Sequence, residues 1–298
     1  MPTSSDAIDA LADYNEREVL TLKTRIISAV VGLLILFPVL WFSDTILFPM
    51  VLALCAALAA YELTTCIGAR AWYVVAPSVA FAALGPLMTR WVASTVKSYI
   101  AFLAMMAFAY LFLLLTVAVL TAGKLKFSTV AEVVIGVVYA TVGFTSIALL
   151  RRIPDGEYLF GMIFVAAWMT DTMAYFTGRL MGKHKLCPEI SPKKTVEGSI
   201  GGIVFCALSF MLYGFIVNKI SGMTPSYLML FLSGLLLSVV SQIGDLAASL
   251  IKREHGVKDY GKLMPGHGGV MDRFDSILAV APILLCLCGF ASAFAFFY

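Results

Sequence analysis

The chain has 298 residues, of which 61% are hydrophobic and only 13% are charged, with a formal net charge of +3. A soluble domain of this size carries about 25% charged residues. The composition therefore excludes an ordinary soluble globular protein and predicts a multi-pass membrane protein with membrane lipids as its main surroundings and with no nucleic-acid partner.

Residues 1–22 precede the first apolar run and are acidic, with Asp6, Asp9, Asp13, Glu16 and Glu18. A cleaved secretory signal would instead begin with a basic stretch followed by a short apolar core. We therefore interpret residues 1–22 as a cytoplasmic tail without chemistry of its own.

Nine apolar runs follow, most of them near the roughly 17–25 residues that cross a bilayer as a helix. They cover residues 26–42, 46–66, 72–89, 99–121, 130–150, 159–178, 199–217, 227–247 and 276–298. Backbone groups in lipid must find hydrogen-bond partners within their own segment, so helices are expected. The prediction is an all-α fold of about nine spans, with residues 23–150 forming a five-span bundle and residues 151–298 a four-span catalytic region.

The orientation follows from the distribution of lysine and arginine between alternate loops. If the N-terminus is cytoplasmic, sixteen of the 21 basic residues lie on the inner side. The remaining five, Arg90, Lys97, Arg151, Arg152 and Lys219, lie on the outer side. An N-terminus in the cytoplasm and nine spans fit this asymmetry.

Four acidic residues lie within or at the ends of apolar runs, each toward the predicted cytoplasmic face. A carboxylate near mid-bilayer costs about 2.5–3.5 kcal/mol on insertion scales, so it normally faces a cavity, a partner or an ion. We interpret Glu62 and Glu132 as helix-end carboxylates that reach the interface. Asp171 and Asp245 lie deeper within their runs, and we expect them to face one polar cavity.

The eighth run supports this cavity because its polar residues recur at helical spacing. They are Ser238, Ser241, Gln242, Asp245, Ser249 and Lys252. In the sixth run, Trp168, Asp171 and Tyr175 follow a similar spacing. The alternative for the stripe is a helix contact joined by serines, which does not account for an aspartate.

The two long polar loops, at about 179–198 and 248–275, are the expected places for chemistry. In the first, Ser191, Lys193, Lys194 and Thr195 directly precede a new helix. Point charges, hydroxyl donors and the free amides of a helix start together suit phosphate groups.

The second loop combines basic residues, glycines and paired acids. Gly266, Gly268 and Gly269 permit close approach of a ligand to the backbone, and Asp272 and Asp275 share one face of the following helix. Together with Asp245 they form an oxygen-rich set suited to Mg²⁺, which keeps positions for water and substrate phosphates. Neither a P-loop nor a dinucleotide fingerprint is present in the sequence.

The loop from Ser249 to Asp275 resembles the signature of phosphatidate cytidylyltransferases. The matching residues are Ser249, Lys252, Arg253, Lys258, Asp259, Gly261, Pro265, Gly266, His267, Gly268, Gly269, Asp272, Arg273 and Asp275. Residues 190–198 and the segment at Asp171 and Thr172 also resemble that family. The N-terminal half is similar only in being hydrophobic and multi-span.

The resemblance implies transfer of a cytidylyl group from CTP to phosphatidate, with release of diphosphate and formation of CDP-diacylglycerol. It assigns Asp245, Asp272 and Asp275, with Asp171 as a fourth acid, to Mg²⁺ and leaves room for a second cation. The expected catalytic residues are Asp245, Asp272, Lys252 and Arg253. Those expected to bind substrate are Ser191, Lys193, Lys194, Thr195, Lys258, His267, Gly268, Gly269 and Arg273.

Two other functions remain open at this point. An ion-coupled transporter also uses intramembrane acids, but it requires polar residues throughout the bilayer depth. Another magnesium-dependent lipid-nucleotide transferase is the second, although the D-G-x2-A-R run of CDP-alcohol phosphotransferases is absent from the sequence. The expected location is the inner membrane of a bacterial cell with the active site facing the cytoplasm, and a homodimer is a possible assembly.

Overall fold

A computed structural model describes residues 34, 37–92, 95–261, 263, 268–289 and 296–297. The predicted tail at 1–22, most of the first predicted span and His267 lie outside these described residues. The described part is mostly helical, as the composition predicted.

The helices and strands are labelled in chain order from the first completely described helix. They are α1 (Leu47–Cys66), α2 (Trp72–Met88), α3 (Val96–Leu120), α4 (Phe127–Leu150), α5 (Gly156–Leu159), α6 (Gly161–Met181), β1 (Lys185–Cys187), β2 (Ser191–Thr195), α7 (Val196–Ser221), α8 (Tyr227–Glu254) and α9 (Met271–Gly289). Residues 37–41 are also helical.

Six helical segments of the described part are long and apolar enough to cross a membrane: α1, α3, α4, α5 with α6, α7 and α8. Helix α2 is apolar but has only 17 residues, with Pro77 and Pro86 inside it. Helix α9 begins with three charged residues, Asp272, Arg273 and Asp275, within its first five positions. The predicted spans between residues 46 and 247 each coincide with a helix, or with the pair α5 and α6.

Two features differ from the sequence prediction. The loop after α6 contains an antiparallel pairing of β1 with β2, whereas the all-α prediction included no strands. Pro188 begins the intervening turn, a position that its fixed φ favours. Helix α8 also continues through Glu254, seven residues beyond the predicted span, so the first part of the predicted second loop is helical.

The packing places α4 at the centre of the N-terminal half, against α1, α2 and α3, and α4 also contacts α9. In the C-terminal half, α7 packs between α6 and α8, and α9 packs on α8. Phe144 of α4 is completely buried and contacts Phe274 of α9, with ring centroids 5.1 Å apart. The two halves of the chain therefore share one continuous core.

The contact between α4 and α9 depends on a glycine. A Cβ atom on Gly143 would lie 2.6 Å from Cδ2 and 2.9 Å from Cα of Leu278. Gly136, two turns earlier in α4, would bring a Cβ atom no closer than 3.5 Å to Leu63. Of these two glycines of α4, only Gly143 is required by the close approach of a neighbouring helix.

We predict that Gly143→Ala destabilises the protein, because the overpacked contact with Leu278 costs about 1–3 kcal/mol. Gly136→Ala is the matched control and should be neutral or stabilising, since alanine is the better helix former. Thermal unfolding of both variants in detergent measures the difference. Equal stability of the two variants would contradict the close packing of α4 on α9.

Candidate active site

The two polar loops meet at the end of the bundle where α6 and α8 finish and α7 and α9 begin. A cavity of about 420 Å³ lies there, and we call it the aspartate cavity. It is lined by Asp171, Ala174, Tyr175, Gly178, Arg179, Leu186, Ser191, Lys193, Lys194, Thr195, Gly198, Ser199, Gln242 and Asp245. Asp171 and Asp245 thus face the same cavity, as their helical positions predicted.

Two carboxylates line this cavity, those of Asp171 in α6 and Asp245 in α8, and a third, that of Asp275 in α9, lies beside Asp245. Those of Asp245 in α8 and Asp275 in α9 lie close enough to interact directly, and Asp171 in α6 interacts electrostatically with Asp245. The ammonium group of Lys194 forms an ion pair with Asp245. This cation offsets part of the repulsion that the three acids would otherwise experience.

The approach of Asp245 to Asp275 follows from the residue before it. A Cβ atom on Gly244 would lie 2.6 Å from Cβ of Ala279 and 2.9 Å from the carbonyl oxygen of Asp275. A larger residue at position 244 would push α8 and α9 apart. Gly244 therefore sets the separation of the two carboxylates, a role that its sequence context did not reveal.

The donor set fits Mg²⁺ in its chemistry. Within the described residues, no group of three acidic, histidine or cysteine side chains is arranged to hold a metal ion. Mg²⁺ is commonly bound through one or two carboxylates, and substrate phosphates and water complete its shell. The adjacent carboxylates of Asp245 and Asp275, with Asp171 nearby, meet that requirement.

The residues of the first loop lie where phosphates would approach the acids. Ser191, Lys193 and Lys194 of β2 all line the aspartate cavity. Thr195 also lines it, and its hydroxyl oxygen accepts a hydrogen bond from the amide of Gly198 at 3.1 Å, which caps α7. The short β-hairpin is thus the element that presents these side chains.

The other expected phosphate ligands are more dispersed. Arg273 is exposed at the start of α9 and interacts electrostatically with Asp171. Arg253 donates to the carbonyl oxygens of Ile190 and Val257, at 3.4 and 3.2 Å, so it links the two loops. Lys258 is exposed.

Asp272 has a different set of partners from Asp275, although both were expected on one face. Lys252 donates to its Oδ1 at 2.8 Å, and both side chains are nearly inaccessible to solvent. Its Oδ2 accepts from the amides of Tyr260 and Gly269, at 2.8 and 3.0 Å. Both carboxylate oxygens of Asp272 thus accept hydrogen bonds from residues of the second loop and hold that loop in place.

Tyr260 completes this arrangement. Its ring lies against the Lys252 ammonium group, 5.3 Å from nitrogen to centroid, and its hydroxyl donates to the carbonyl oxygen of Ala248 at 2.8 Å. Burial raises the pKa of the Tyr260 hydroxyl, so it stays protonated and able to donate. Gly268, in the same loop, has a φ of +84°, a conformation that favours glycine.

The interpretation of Glu62 as an interfacial carboxylate is wrong. Its side chain is buried, and its two oxygens accept from the amides of Val270 and Met271 at 3.0 and 2.8 Å. These amides open α9, where a negative charge is favourable. Gly269 leaves no space beside the carboxylate for a Cβ atom. Glu62 therefore brings the N-terminal half of the chain into the site.

Glu132 behaves as the sequence suggested. Its side chain is 43% exposed, and its Oε2 lies 3.6 Å from Nε2 of His255 in the second loop. The burial of a carboxylate at a helix end depends on the hydrogen-bond or ion-pair partner that it binds. For Glu62 that partner lies more than two hundred residues away in sequence, so no local pattern distinguishes it from Glu132.

The polar stripe of α8 has two functions along its length. Ser238 accepts a hydrogen bond from Thr170 of α6 at 2.8 Å, and Gln242 donates to the carbonyl oxygen of Ser199 at 3.3 Å. This part joins helices, as the alternative interpretation proposed. Only the part from Gln242 through Asp245 to Lys252 reaches the candidate site.

We predict that Glu62→Gln destabilises the protein by about 1–3 kcal/mol, because a buried acceptor of two amides becomes partly a donor. Hydrogen exchange at Val270 and Met271 should accelerate as the start of α9 opens more often. Glu132→Gln is the matched control, and as an exposed pair it should change stability by less than about 1 kcal/mol. Equal effects of the two variants on exchange and unfolding would contradict the anchoring role.

Comparison with known proteins supports the resemblance noted in the sequence. A model described as "Cytidylyltransferase family" matches residues 23–291. The phosphatidate cytidylyltransferase of Staphylococcus haemolyticus is 36% identical over 273 residues, covering 88% of this chain and 97% of that protein. That of Staphylococcus epidermidis is 35% identical over 263 residues, with the same coverage. That of Staphylococcus saprophyticus is 42% identical over 173 residues, 58% of this chain and 64% of the relative. The chain therefore belongs to the cytidylyltransferase family.

Proposed function

We propose that this protein is a phosphatidate cytidylyltransferase, which converts CTP and phosphatidate to CDP-diacylglycerol and diphosphate. The relatives that match nearly the whole chain carry that name. The observation that supports the chemistry is the aspartate cavity, where Asp171 and Asp245 from two helices adjoin the lysines of the hairpin. Such a site suits two phosphorylated substrates.

The reaction places few demands on acid–base groups. An oxygen of the phosphatidate phosphate attacks the α-phosphorus of CTP, and the bond from that phosphorus to the bridging oxygen of the diphosphate breaks. A phosphate monoester has its second pKa near about 6, so the nucleophile is already largely a dianion at neutral pH. The protein must therefore mainly align two anions and neutralise the charge of the leaving diphosphate.

The acids of the cavity are proposed to hold Mg²⁺, with Asp245 and Asp275 as its principal ligands and Asp171 beside them. The bound ion would supply positive charge to the phosphates of CTP. Asp272, which was expected at the metal together with Asp245 and Asp275, has Lys252 and two loop amides as its partners. We propose that Asp272 positions the loop before α9, next to Arg273, and supports the site in this way.

The basic residues would divide between the two substrates. Lys193 and Lys194 line the cavity directly and are proposed to bind the phosphates of CTP, with Ser191 and Thr195 as hydroxyl donors. Arg273, Arg253 and Lys258 lie toward the surface of the same end and would meet phosphates that approach from water or from the membrane interface. Arginine forks suit a phosphate of fixed orientation.

The proposed topology retains nine spans, with the N-terminus and the aspartate cavity on the cytoplasmic side of a bacterial inner membrane. Helices α2 and α9, together with the first predicted span, would complete the six long apolar segments. The cations of both polar loops would then lie inside, in accord with the distribution of lysine and arginine. CTP would reach the cavity directly from the cytoplasm.

Phosphatidate would enter from the side. An apolar groove of about 430 Å³ lies between α4, α8 and α9, lined by Tyr139, Val142, Val240, Ile243, Gly244, Ala247, Leu278, Ala279, Pro282 and Ile283. One end adjoins the acids, since Gly244 precedes Asp245 and the Tyr139 hydroxyl donates to the carbonyl oxygen of Asp275 at 3.3 Å. From Ala247 to Val240 the groove follows α8 for about 10 Å. We propose that it orients an acyl chain of the substrate.

We predict that Asp245→Asn and Asp275→Asn each reduce turnover by about 10²–10³-fold. Each variant removes a carboxylate ligand of the proposed Mg²⁺ ion, whose positive charge would stabilise the phosphates. The assay follows labelled CTP into lipid in detergent with Mg²⁺ and phosphatidate. Glu254→Gln is the control, since Glu254 is exposed at the end of α8 and is not among the residues that match the family signature. Wild-type turnover in both cavity variants would contradict the metal assignment. Absence of lipid-linked CDP from the wild type would contradict the function.

Asp272→Asn has a separate expected signature. It leaves the buried Lys252 ammonium group without its counterion, which costs about 3–5 kcal/mol of stability. Thermal unfolding should therefore detect this variant, whereas Asp275→Asn should have a smaller effect. Suppose instead that Asp272→Asn keeps full stability, loses activity, and has a residual turnover that no longer changes with Mg²⁺ concentration. Asp272 is then a metal ligand rather than a positioning residue.

The acyl groove predicts a dependence on chain length. Ile243→Trp should reduce kcat/KM for long-chain phosphatidate about tenfold relative to a short-chain, water-soluble phosphatidate, because the ring occupies the groove. Ile216→Trp on α7, also exposed, is the control and should leave this ratio unchanged. If Ile243→Trp lowers kcat/KM equally for both substrates, the groove does not bind the acyl chain, although the proposed function is unaffected. Contact with a second copy of the chain at this groove would then be favoured.

A further inference from the structure

A second polar cavity of about 420 Å³ lies at the opposite end of the bundle from the aspartate cavity. We call it the arginine cavity. It is lined by Ser43, Asp44, Thr45, Phe48, Pro49, Thr89, Arg90, Ala148, Arg151, Arg152 and Ile153. Phe48 lies at the start of α1 and Glu62 near its end, so about 21 Å of helix separates the two regions. This cavity has no part in the proposed transfer reaction.

Three guanidinium groups from two separate loops converge on this cavity. Arg90 follows α2, whereas Arg151 and Arg152 follow α4. Among the described side chains that line it the only carboxylate is that of Asp44, which leaves a formal excess of two positive charges. A second carboxylate, Glu157, approaches Arg151 at 3.8 Å but does not line the cavity.

Within the part of the chain that the structure describes, the contacts of the three arginines leave donors available. Arg151 is largely buried, and it bonds to Oδ1 of Asp44 at 2.5 Å and to the hydroxyl of Ser43 at 2.9 Å. It therefore holds the segment before α1 against the end of α4. Arg90 donates through one nitrogen to the carbonyl oxygen of Asp44 at 3.0 Å. Arg90 and Arg152 are both exposed, and a guanidinium has five donors.

The location makes this convergence of charge informative. Arg90, Arg151 and Arg152 are three of the five basic residues expected on the outer side of the membrane. Cations are depleted from that side in short loops, yet these three are gathered at one cavity. A cavity of this size suits a small polar group, and arginine forks match the oxygens of a phosphate.

We propose that the arginine cavity binds the phosphate group of an anionic ligand, supplied by the head group of a phospholipid in the leaflet opposite to the active site. Arg90 and Arg152 are the ligands that contact the phosphate. Arg151 forms the base of the cavity and keeps the segment at Ser43 and Asp44 in place. The proposal concerns a separate site and does not depend on the proposed catalytic function.

Native mass spectrometry of the full chain in detergent tests the proposal, with phosphatidylglycerol as the probe. The double variant Arg90→Gln/Arg152→Gln should bind this lipid about tenfold more weakly than the wild type, because two charge-assisted contacts are lost. Lys219→Gln/Lys97→Gln removes two other basic residues expected on the same side and should bind as the wild type does. Arg151 is retained because its loss would also release Ser43 and Asp44.

A second measurement distinguishes the two sources of a phosphate. Thermal unfolding is followed with added phosphatidylglycerol and, separately, with inorganic phosphate, since a ligand of the folded state raises its stability. Stabilisation by the lipid that is lost in the arginine variant supports the proposal. Stabilisation by inorganic phosphate alone, lost in the same variant, overturns the lipid source. Equal lipid binding by the arginine variant and the wild type overturns the site.

Discussion

The structure depends on the cost of placing carboxylates where water is scarce. Three acids at the end of the bundle that holds the aspartate cavity have a partner from a different part of the chain: Lys194 for Asp245, Lys252 for Asp272, and the amides that open α9 for Glu62. A buried charge without such a partner would cost several kcal/mol. The positions of both polar loops follow from these pairings, because each loop contributes donors to an acid of a helix.

This arrangement separates two kinds of acid. Glu62 and Asp272 have both oxygens occupied by donors of the protein, so they organise the loop before α9. Asp245 lies beside both Asp171 and Asp275, and among the described residues these three have fewer protein donors, which is why we propose that their charge serves a ligand. The same residue type therefore serves structure and chemistry within one end of the bundle, and the difference lies in the donors that surround each carboxylate.

Much of the helical framework could be predicted from the sequence because apolar runs of bilayer length report it directly. The shared cavity of Asp171 and Asp245 was also predictable, since helical spacing fixes the direction of each side chain. The β-hairpin was not, because five residues rich in lysine carry little strand signal. The anchoring by Glu62 and the spacing by Gly244 depend on contacts between distant segments, and neither residue has a local pattern that reveals it. The different partners of Asp272 and Asp275 likewise arise from the loop that folds back over Lys252.

The bond from Glu62 to the start of α9 also bears on how the protein is made. Glu62 is synthesised 208 residues before Val270, whose amide it binds in the folded protein. Throughout that interval Glu62 lacks the two amides that it binds in the folded protein. The loop before α9 can therefore take its final shape only after the start of α9 has been made, because a chain that stops before Val270 lacks the amides that Glu62 binds.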